Sequence, residues 1–143
     1  MLCPMCRVEM LTIEFRQMEI DHCAECGGVW LDSGEIEVIG DHAGAMRTEL
    51  MAALDSPEAE REMSHKRHCP VCGMRLARAR MAGIGVSVDR CRFKHGLWFD
   101  RGELAVAARA AGADAGNALA QFLTNIEEQR RRTEEQRRQT PEA

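Results

Sequence analysis

The seven cysteines of this chain follow a spacing that occurs twice along the sequence. Cys-x-x-Cys pairs begin at Cys3, Cys23 and Cys69, and the single Cys91 stands where a fourth pair would begin. The second copy follows the first at an offset of 66 residues for Cys3 and of 68 residues for Cys23. A repeat of this kind predicts two similar structural units in tandem.

Large core-forming side chains are scarce. The 143 residues include no tyrosine, four phenylalanines and two tryptophans. A unit of about 40 residues rarely folds without a metal, a disulfide or a partner chain. An odd number of cysteines cannot pair completely within one chain, and Met1 leads to Cys3 without an apolar leader. We therefore expect a cytoplasmic protein whose cysteines bind metal and stabilise the fold.

The spacing of the first unit is typical of zinc binding. Two Cys-x-x-Cys turns joined by a hairpin supply four thiolates at the corners of a tetrahedron, which zinc prefers. Iron is the competing metal, because four thiolates also suit it. We expect two zinc ions per chain, and the predicted ligands of the first are Cys3, Cys6, Cys23 and Cys26.

The second unit departs from the first at its fourth ligand. Lys94 stands where Cys26 stands in the first unit, and His95 follows it. An imidazole reaches further than a thiolate, so His95 can complete a Cys3His shell. His68 is the competing ligand, and an open site with a bound water is the remaining alternative. The other predicted ligands of this site are Cys69, Cys72 and Cys91.

Both units resemble the bacterial zinc-finger family named after the zinc ribbon of transcription factor TFIIB. Its pattern is a Cys-Pro-x-Cys knuckle, a β-hairpin, a Cys-x-x-Cys-Gly-Gly-x-Trp-Leu-Asp segment and then Gly-Glu-Leu. The first unit matches at Cys3, Pro4, Cys6, Cys23, Cys26, Gly27, Gly28, Trp30, Leu31, Asp32, Gly34 and Glu35. The second matches at Cys69, Pro70, Cys72, Cys91, Gly96, Trp98, Asp100, Gly102, Glu103 and Leu104. The resemblance implies a zinc-ribbon fold and zinc binding.

The predicted architecture is a small, metal-stabilised α+β fold. It contains two zinc-ribbon β-hairpins, each followed by an α-helix, and a long C-terminal helix. The hairpins are expected to turn near Arg16 in the first unit and at Gly83-Ile84-Gly85 in the second. The expected units are a first ribbon at 1–36, a helical linker at 37–67, a second ribbon at 68–104 and a helical tail at 105–143.

The linker and the tail both carry helical periodicity. Apolar residues at spacings of three and four predict one helix from Ile36 to Ala53 that includes Ala43, followed by a polar connection over 57–67. In the tail, acid–base pairs four apart predict a long polar helix with the pairs Glu127–Arg131, Glu128–Arg132 and Glu134–Arg138.

Two further features of the repeat have structural interpretations. Trp30 and Trp98 are expected to shield the zinc sites. The paired acids Asp32–Glu35 and Asp100–Glu103 predict capping boxes at the helix starts, in preference to a catalytic dyad. We therefore expect no enzyme activity.

Charge is distributed unevenly along the chain. The net charge is −4, but residues 1–60 carry −10 and residues 61–101 carry +7. The basic second unit raises the possibility of nucleic-acid binding. The candidate contacts are Arg78, Arg80, Arg90, Arg92 and Lys94, with Phe93 as a stacking residue.

Three classes of function follow from these features. The first is a non-enzymatic protein-interaction or regulatory module, docking through its helices onto another protein or a second copy of itself. The second is nucleic-acid binding through the basic ribbon. The third is an enzyme or a zinc or redox sensor. Neither a membrane span nor a small-molecule site is evident.

Overall fold

The computed structural model describes residues 1–39, 44–55, 63–81, 85–110 and 114–140. Within these ranges the chain forms seven strands and four helices. The strands are β1 (Leu11–Phe15), β2 (Met18–His22), β3 (Val29–Asp32), β4 (Met63–His68), β5 (Arg75–Met81), β6 (Val86–Arg90) and β7 (Gly96–Phe99). The helices are α1 (Ser33–Ile39), α2 (Gly44–Asp55), α3 (Glu103–Ala110) and α4 (Asp114–Gln139). The predicted α+β class with a long C-terminal helix is confirmed.

All seven strands form one antiparallel sheet in the order β1-β2-β3-β7-β6-β5-β4. The two predicted hairpins are present as β1–β2 and β5–β6. Strands β3 and β7, which carry the tryptophans, pair with each other in the register Trp30↔Trp98 and Leu31↔Leu97. The two ribbons are therefore halves of one sheet.

One face of this sheet packs against helices. Strand alternation puts Ala77, Ala79 and Met81 of β5 on the covered face. Leu50 and Leu54 of α2 pack into the same core, together with buried residues of α1, α3 and α4. Alanine and leucine are the commonest buried residues of this core, which the two ribbons and the helices share.

The structure describes two helices within the range of the single predicted helix. Helix α1 ends at Ile39 and α2 begins at Gly44, and residues 40–43, which include Ala43, lie outside the described residues. Residues 63–67, expected to belong to a polar connection, instead form with His68 the edge strand β4, which pairs with β5. The predicted turn residues Gly83 and Ile84 also lie outside the described residues.

Helix α4 contacts the first ribbon through Phe122 and Arg130. The Phe122 ring lies 4.8 Å from that of Phe15, and Nη1 of Arg130 donates to the carbonyl oxygen of Glu25 at 3.1 Å. Glu127 pairs with Arg130 at 2.8 Å rather than with Arg131 as predicted. The predicted pair Glu134–Arg138 is present at 3.2 Å, and residues 131–140 are exposed. None of the described helices is both long and apolar enough to cross a bilayer.

Candidate metal centres

The first candidate centre lies between two backbone turns that carry its cysteines. The N–H of Arg7 donates to the carbonyl of Cys3 at 3.0 Å, and the N–H of Gly27 donates to that of Cys23 at 2.9 Å. Arg7 (φ 63°) and Gly27 (φ 77°) both have left-handed backbones, which end the two turns. The Sγ of Cys3 also accepts the N–H of Cys6 at 3.3 Å. Each turn therefore aims its thiol groups inward.

The four sulfur atoms of this centre fit a tetrahedral metal ion. All lie within 4.8 Å of one another, and the Sγ atoms of Cys3 and Cys26 are 3.8 Å apart. A zinc–sulfur bond of about 2.3 Å gives a tetrahedral edge of about 3.8 Å. A disulfide would need about 2.05 Å, and all seven cysteines are free. The sulfur positions therefore match a metal shell and not a covalent bridge.

The second candidate centre brings three thiols and one imidazole together. The Sγ atoms of Cys72 and Cys91 are 3.6 Å apart. The Nδ1 of His95 lies 3.3 Å from the Sγ of Cys91 and 4.0 Å from the Sγ of Cys69. The structure thus places all eight predicted ligands in two groups of four. This centre is the more open one, because Cys72 is exposed whereas its counterpart Cys6 is only partly exposed.

The backbone explains how His95 takes the fourth corner. The closing bond from Cys91 N–H to the Gly96 carbonyl, 3.1 Å, matches the one from Cys23 to Gly28, 3.0 Å. Both loops therefore have the same length. Lys94 has φ 61°, and its N–H donates to the Cys91 carbonyl at 3.0 Å, which tightens the turn. The fourth ligand consequently falls one residue later than in the first centre.

The competing ligand His68 is engaged elsewhere. Its Nδ1 lies 2.6 Å from Nη2 of Arg7, in the first ribbon. It is not a member of the four-residue group around Cys69 and Cys91. His68 therefore contacts Arg7 of the first ribbon instead of the second metal centre.

The thiol pKa values indicate which cysteines must lose a proton when a metal binds to the metal-free chain. A hydrogen bond with Cys26 lowers the pKa of Cys3 to about 5. Burial raises the pKa of Cys6 to about 11 and that of Cys69 to about 12. The hydrogen bond with Cys3 raises the pKa of Cys26. Since a metal binds thiolates, filling the centres must release protons from the thiols with raised pKa values.

A small apolar cluster separates the two centres. Trp30 and Trp98 are completely buried, and both belong to a cluster that includes buried cysteines of both centres. This placement agrees with the predicted shielding role. A methyl group on Gly28 would overlap Cζ2 and Cη2 of Trp98, and one on Gly96 would lie 2.7 Å from Cζ2 of Trp30. Each indole therefore packs against a glycine of the other ribbon.

The predicted capping boxes are each only half formed. The carboxylate of Asp32 accepts the N–H of Glu35 at 3.0 Å, but Glu35 itself accepts the N–H of Glu19 at 3.0 Å. In the second ribbon Glu103 accepts the N–H of Asp100 at 3.1 Å, while the Asp100 carboxylate is engaged elsewhere. Each repeat therefore forms one of the two hydrogen bonds of a capping box: the first repeat forms the bond to its aspartate, and the second forms the bond to its glutamate.

Arg67 of β4 engages that carboxylate. Its Nη1 lies 2.9 Å from an Asp100 oxygen and 2.7 Å from Oδ2 of Asp89. Asp89 is buried, and burial raises its pKa although Arg67 acts to lower it. Arg67 therefore compensates a buried charge beside the second centre. This role could not be predicted from the sequence, because Arg67 lies in a segment expected to be a connection.

The predicted basic surface is smaller than expected. Arg78 and Arg80 are exposed on the same face of β5, and Arg92 is exposed near the second centre. Arg90, by contrast, is buried, with Nη1 at 3.5 Å from the Leu54 carbonyl. Including Arg90 was wrong, because it points into the helix-covered face and cannot reach a phosphate. Lys94 is exposed but pairs with Asp55 at 2.8 Å.

The hairpins, the knuckles and the two four-ligand groups define a protein of the zinc-ribbon class. The family model described as transcription factor zinc-finger, a zinc ribbon of the TFIIB type, matches residues 2–42 and 68–109. These segments cover more than half of the 143 residues, and the chain belongs to this family. The resemblance seen in the sequence is confirmed in both copies. No curated protein and no solved structure matches the chain.

Proposed function

We propose that this chain is a non-enzymatic protein-interaction module held by two structural zinc ions. The family match and the geometry of the two centres support zinc binding. Each centre offers four protein ligands, and a tetrahedral zinc ion with four protein ligands has no open position for a substrate. Closed centres of this kind stabilise a surface, and the function then resides in what that surface contacts.

Zinc is favoured over iron by the second centre. An imidazole with three thiolates is a common structural zinc set. The Nδ1 atom of His95 lies at the fourth corner, 3.3 Å from the Cys91 sulfur. Elemental analysis of the purified chain should find two zinc ions per chain and no stoichiometric iron. Iron at one or two equivalents would overturn the assignment.

The observation that carries the interaction proposal is a set of exposed apolar side chains on the knuckles. Met5 and Val71 occupy equivalent positions in the two repeats and are 52% and 50% exposed. Val8 and Met74 are likewise equivalent, at 39% and 46%. The exposure of large apolar groups at both equivalent positions of the repeat supports the proposal that a partner covers the knuckles.

Quantitative co-purification from the source cell tests this proposal. Tagged wild-type chain and the Met5→Ser/Val71→Ser variant are compared for the partners they retain. The control is Val106→Ser, since Val106 is 50% exposed on α3, away from the knuckles. We expect the knuckle variant to lose a partner that the control retains. Equal recovery by all three chains would contradict the proposal.

Nucleic-acid binding is the alternative, and the exposed pair Arg78 and Arg80 on one strand face favours it. Generic DNA and RNA are titrated at low and at high salt. If this alternative holds, Arg78→Ala/Arg80→Ala should weaken binding at least about tenfold at low salt. A charge-matched control is Arg132→Ala/Arg137→Ala, because both side chains are exposed on the tail of α4. Absence of binding by the wild type at low salt would end this reading.

A further inference from the structure

We infer that the two metal centres fill cooperatively, because each ribbon completes the packing around the other's metal-binding loop. The inference rests on the proposed zinc binding and goes beyond it. A zinc ribbon is usually regarded as a unit that binds its ion alone. In this chain the residues that separate the centres belong to both ribbons.

Each tryptophan packs on a glycine of the other ribbon. The carbonyl of Gly28 accepts the N–H of Cys23 and so closes the loop that holds two ligands of the first centre. The indole of Trp98, from the second ribbon, packs directly on Gly28. The carbonyl of Gly96 closes the corresponding loop at Cys91, and Trp30 packs on that glycine. Each loop is therefore supported by a ring from the other repeat.

Backbone hydrogen bonds also join the first ribbon to the loop and strand of the second centre. The N–H of Ser33, the first residue of α1 directly after β3, donates to the carbonyl of the candidate ligand His95 at 2.9 Å. Trp30 and Trp98 are paired residues of β3 and β7. Unfolding one ribbon would thus remove a backbone bond at a ligand of the other, together with half of the buried apolar cluster.

The consequence is a coupling free energy between the centres. A metal ion that orders the first ribbon fixes Gly28, on which Trp98 packs, and so favours the ordered form of β7 and of the loop before it that carries Cys91 and His95. By linkage, a second ion must favour the first centre by the same factor. We expect the coupling factor to be at least about tenfold, within the usual range for coupled sites.

Native mass spectrometry of the metal-free full chain titrated with zinc tests the inference directly. At half loading, two independent sites leave about half or more of the chains with one zinc, whatever their separate affinities. A tenfold coupling lowers that population to about a quarter when the two centres have equal intrinsic affinities, and below half when those affinities differ by less than about thirtyfold. A one-zinc population of half or more would overturn the inference in that range. For a larger difference, the zinc affinity of the second centre is compared in the wild type and in Cys3→Ser/Cys6→Ser, and equal affinities would overturn the inference. A chain that binds no zinc would overturn the zinc proposal as well, so the two failures are distinguishable.

A pair of glycine variants locates the coupling. Gly28→Ala should displace Trp98 and weaken zinc binding at the second centre at least about tenfold, as measured by chelator competition. Gly34→Ala is the matched control in the same ribbon, because an added methyl there meets only Asp32 at 3.4 Å. Unchanged affinity of the second centre in Gly28→Ala would contradict the inference. If Gly28→Ala does not fold, the wild-type titration alone decides.

Discussion

Trp30 and Trp98 are direct partners across β3 and β7, yet their indole N–H groups differ in hydrogen bonding. Nε1 of Trp98 donates to Oδ1 of Asp100 at 3.3 Å. Nε1 of Trp30 is buried without a partner among the described residues. The residue equivalent to Asp100 is Asp32, whose Oδ1 instead accepts the N–H of Glu35 in α1. At equivalent positions of the repeat, one buried indole N–H is therefore hydrogen-bonded and the other has no acceptor among the described residues.

Phenylalanine substitutions should reveal this difference. Trp30→Phe removes a buried donor that has no acceptor, whereas Trp98→Phe removes a satisfied one and leaves an Asp100 oxygen without it. Both changes lose similar packing volume. We expect Trp98→Phe to cost about 1 kcal/mol more in unfolding free energy than Trp30→Phe. Urea unfolding at saturating zinc measures both, and a greater loss for Trp30→Phe would contradict this account.

Serine at the two equivalent aspartates should have unequal effects. Asp32→Ser keeps a side-chain oxygen that can cap α1, so the expected loss of stability is below about 1 kcal/mol. Asp100→Ser removes the carboxylate that pairs with Arg67 and accepts the Trp98 N–H, and we expect a loss of about 2 kcal/mol or more. Thermal or urea unfolding compares the two variants. Equal losses would show that both aspartates serve only as caps.

Removing Arg67 should destabilise the chain through the charge it leaves behind. Arg67→Met leaves the buried Asp89 without its cation, and breaking a buried pair typically costs about 3 kcal/mol or more. The double variant Arg67→Met/Asp89→Asn removes both charges and should recover most of that loss in urea unfolding. No recovery would mean that the role of Arg67 is packing or contact with Asp100 rather than compensation of Asp89.

Substitution of the two histidines should separate the ligand from its neighbour. His95→Ala removes the imidazole beside the Cys91 sulfur, and we expect zinc affinity at the second centre to fall more than about tenfold. His68→Ala removes only the contact with Arg7 and should leave both zinc ions bound. Zinc content and chelator competition report the outcome. Retention of two tightly held zinc ions by His95→Ala would show that another group completes the shell.

The candidate ligands could be predicted from the sequence because ligand chemistry is encoded locally. A Cys-x-x-Cys turn places two thiols on one side of a tight backbone loop whatever surrounds it. His95 could be predicted as well, because a comparison of the two repeats shows Lys94 at the position of Cys26 and a histidine directly after it. The hairpins were predictable for the same reason, since alternation and turn residues act over a few positions.

The joining of the two ribbons could not be predicted, because it depends on pairing between distant strands. The sequence of β3 itself does not indicate whether this strand pairs with β7 or is an edge strand of its own ribbon. One available signal was overlooked: glycine occurs two positions before the tryptophan in both repeats, at Gly28 and Gly96. A repeated glycine beside a large ring is a mark of close approach by another side chain. Likewise, the burial of Arg90 follows from α2 covering its strand, which is a tertiary effect.

The register between β3 and β7 has a consequence for how such a chain arises. Val29 pairs with Phe99 and Leu31 pairs with Leu97, so the pairing is symmetric about Trp30 and Trp98, which are equivalent residues of the repeat. This is the isologous arrangement that two identical subunits adopt around a twofold axis. A single-repeat protein could make the same sheet as a homodimer, with the same exchange of tryptophans. In this chain one polypeptide supplies both halves of that arrangement, so the halves can differ in sequence, as they do where Lys94 stands at the position equivalent to Cys26.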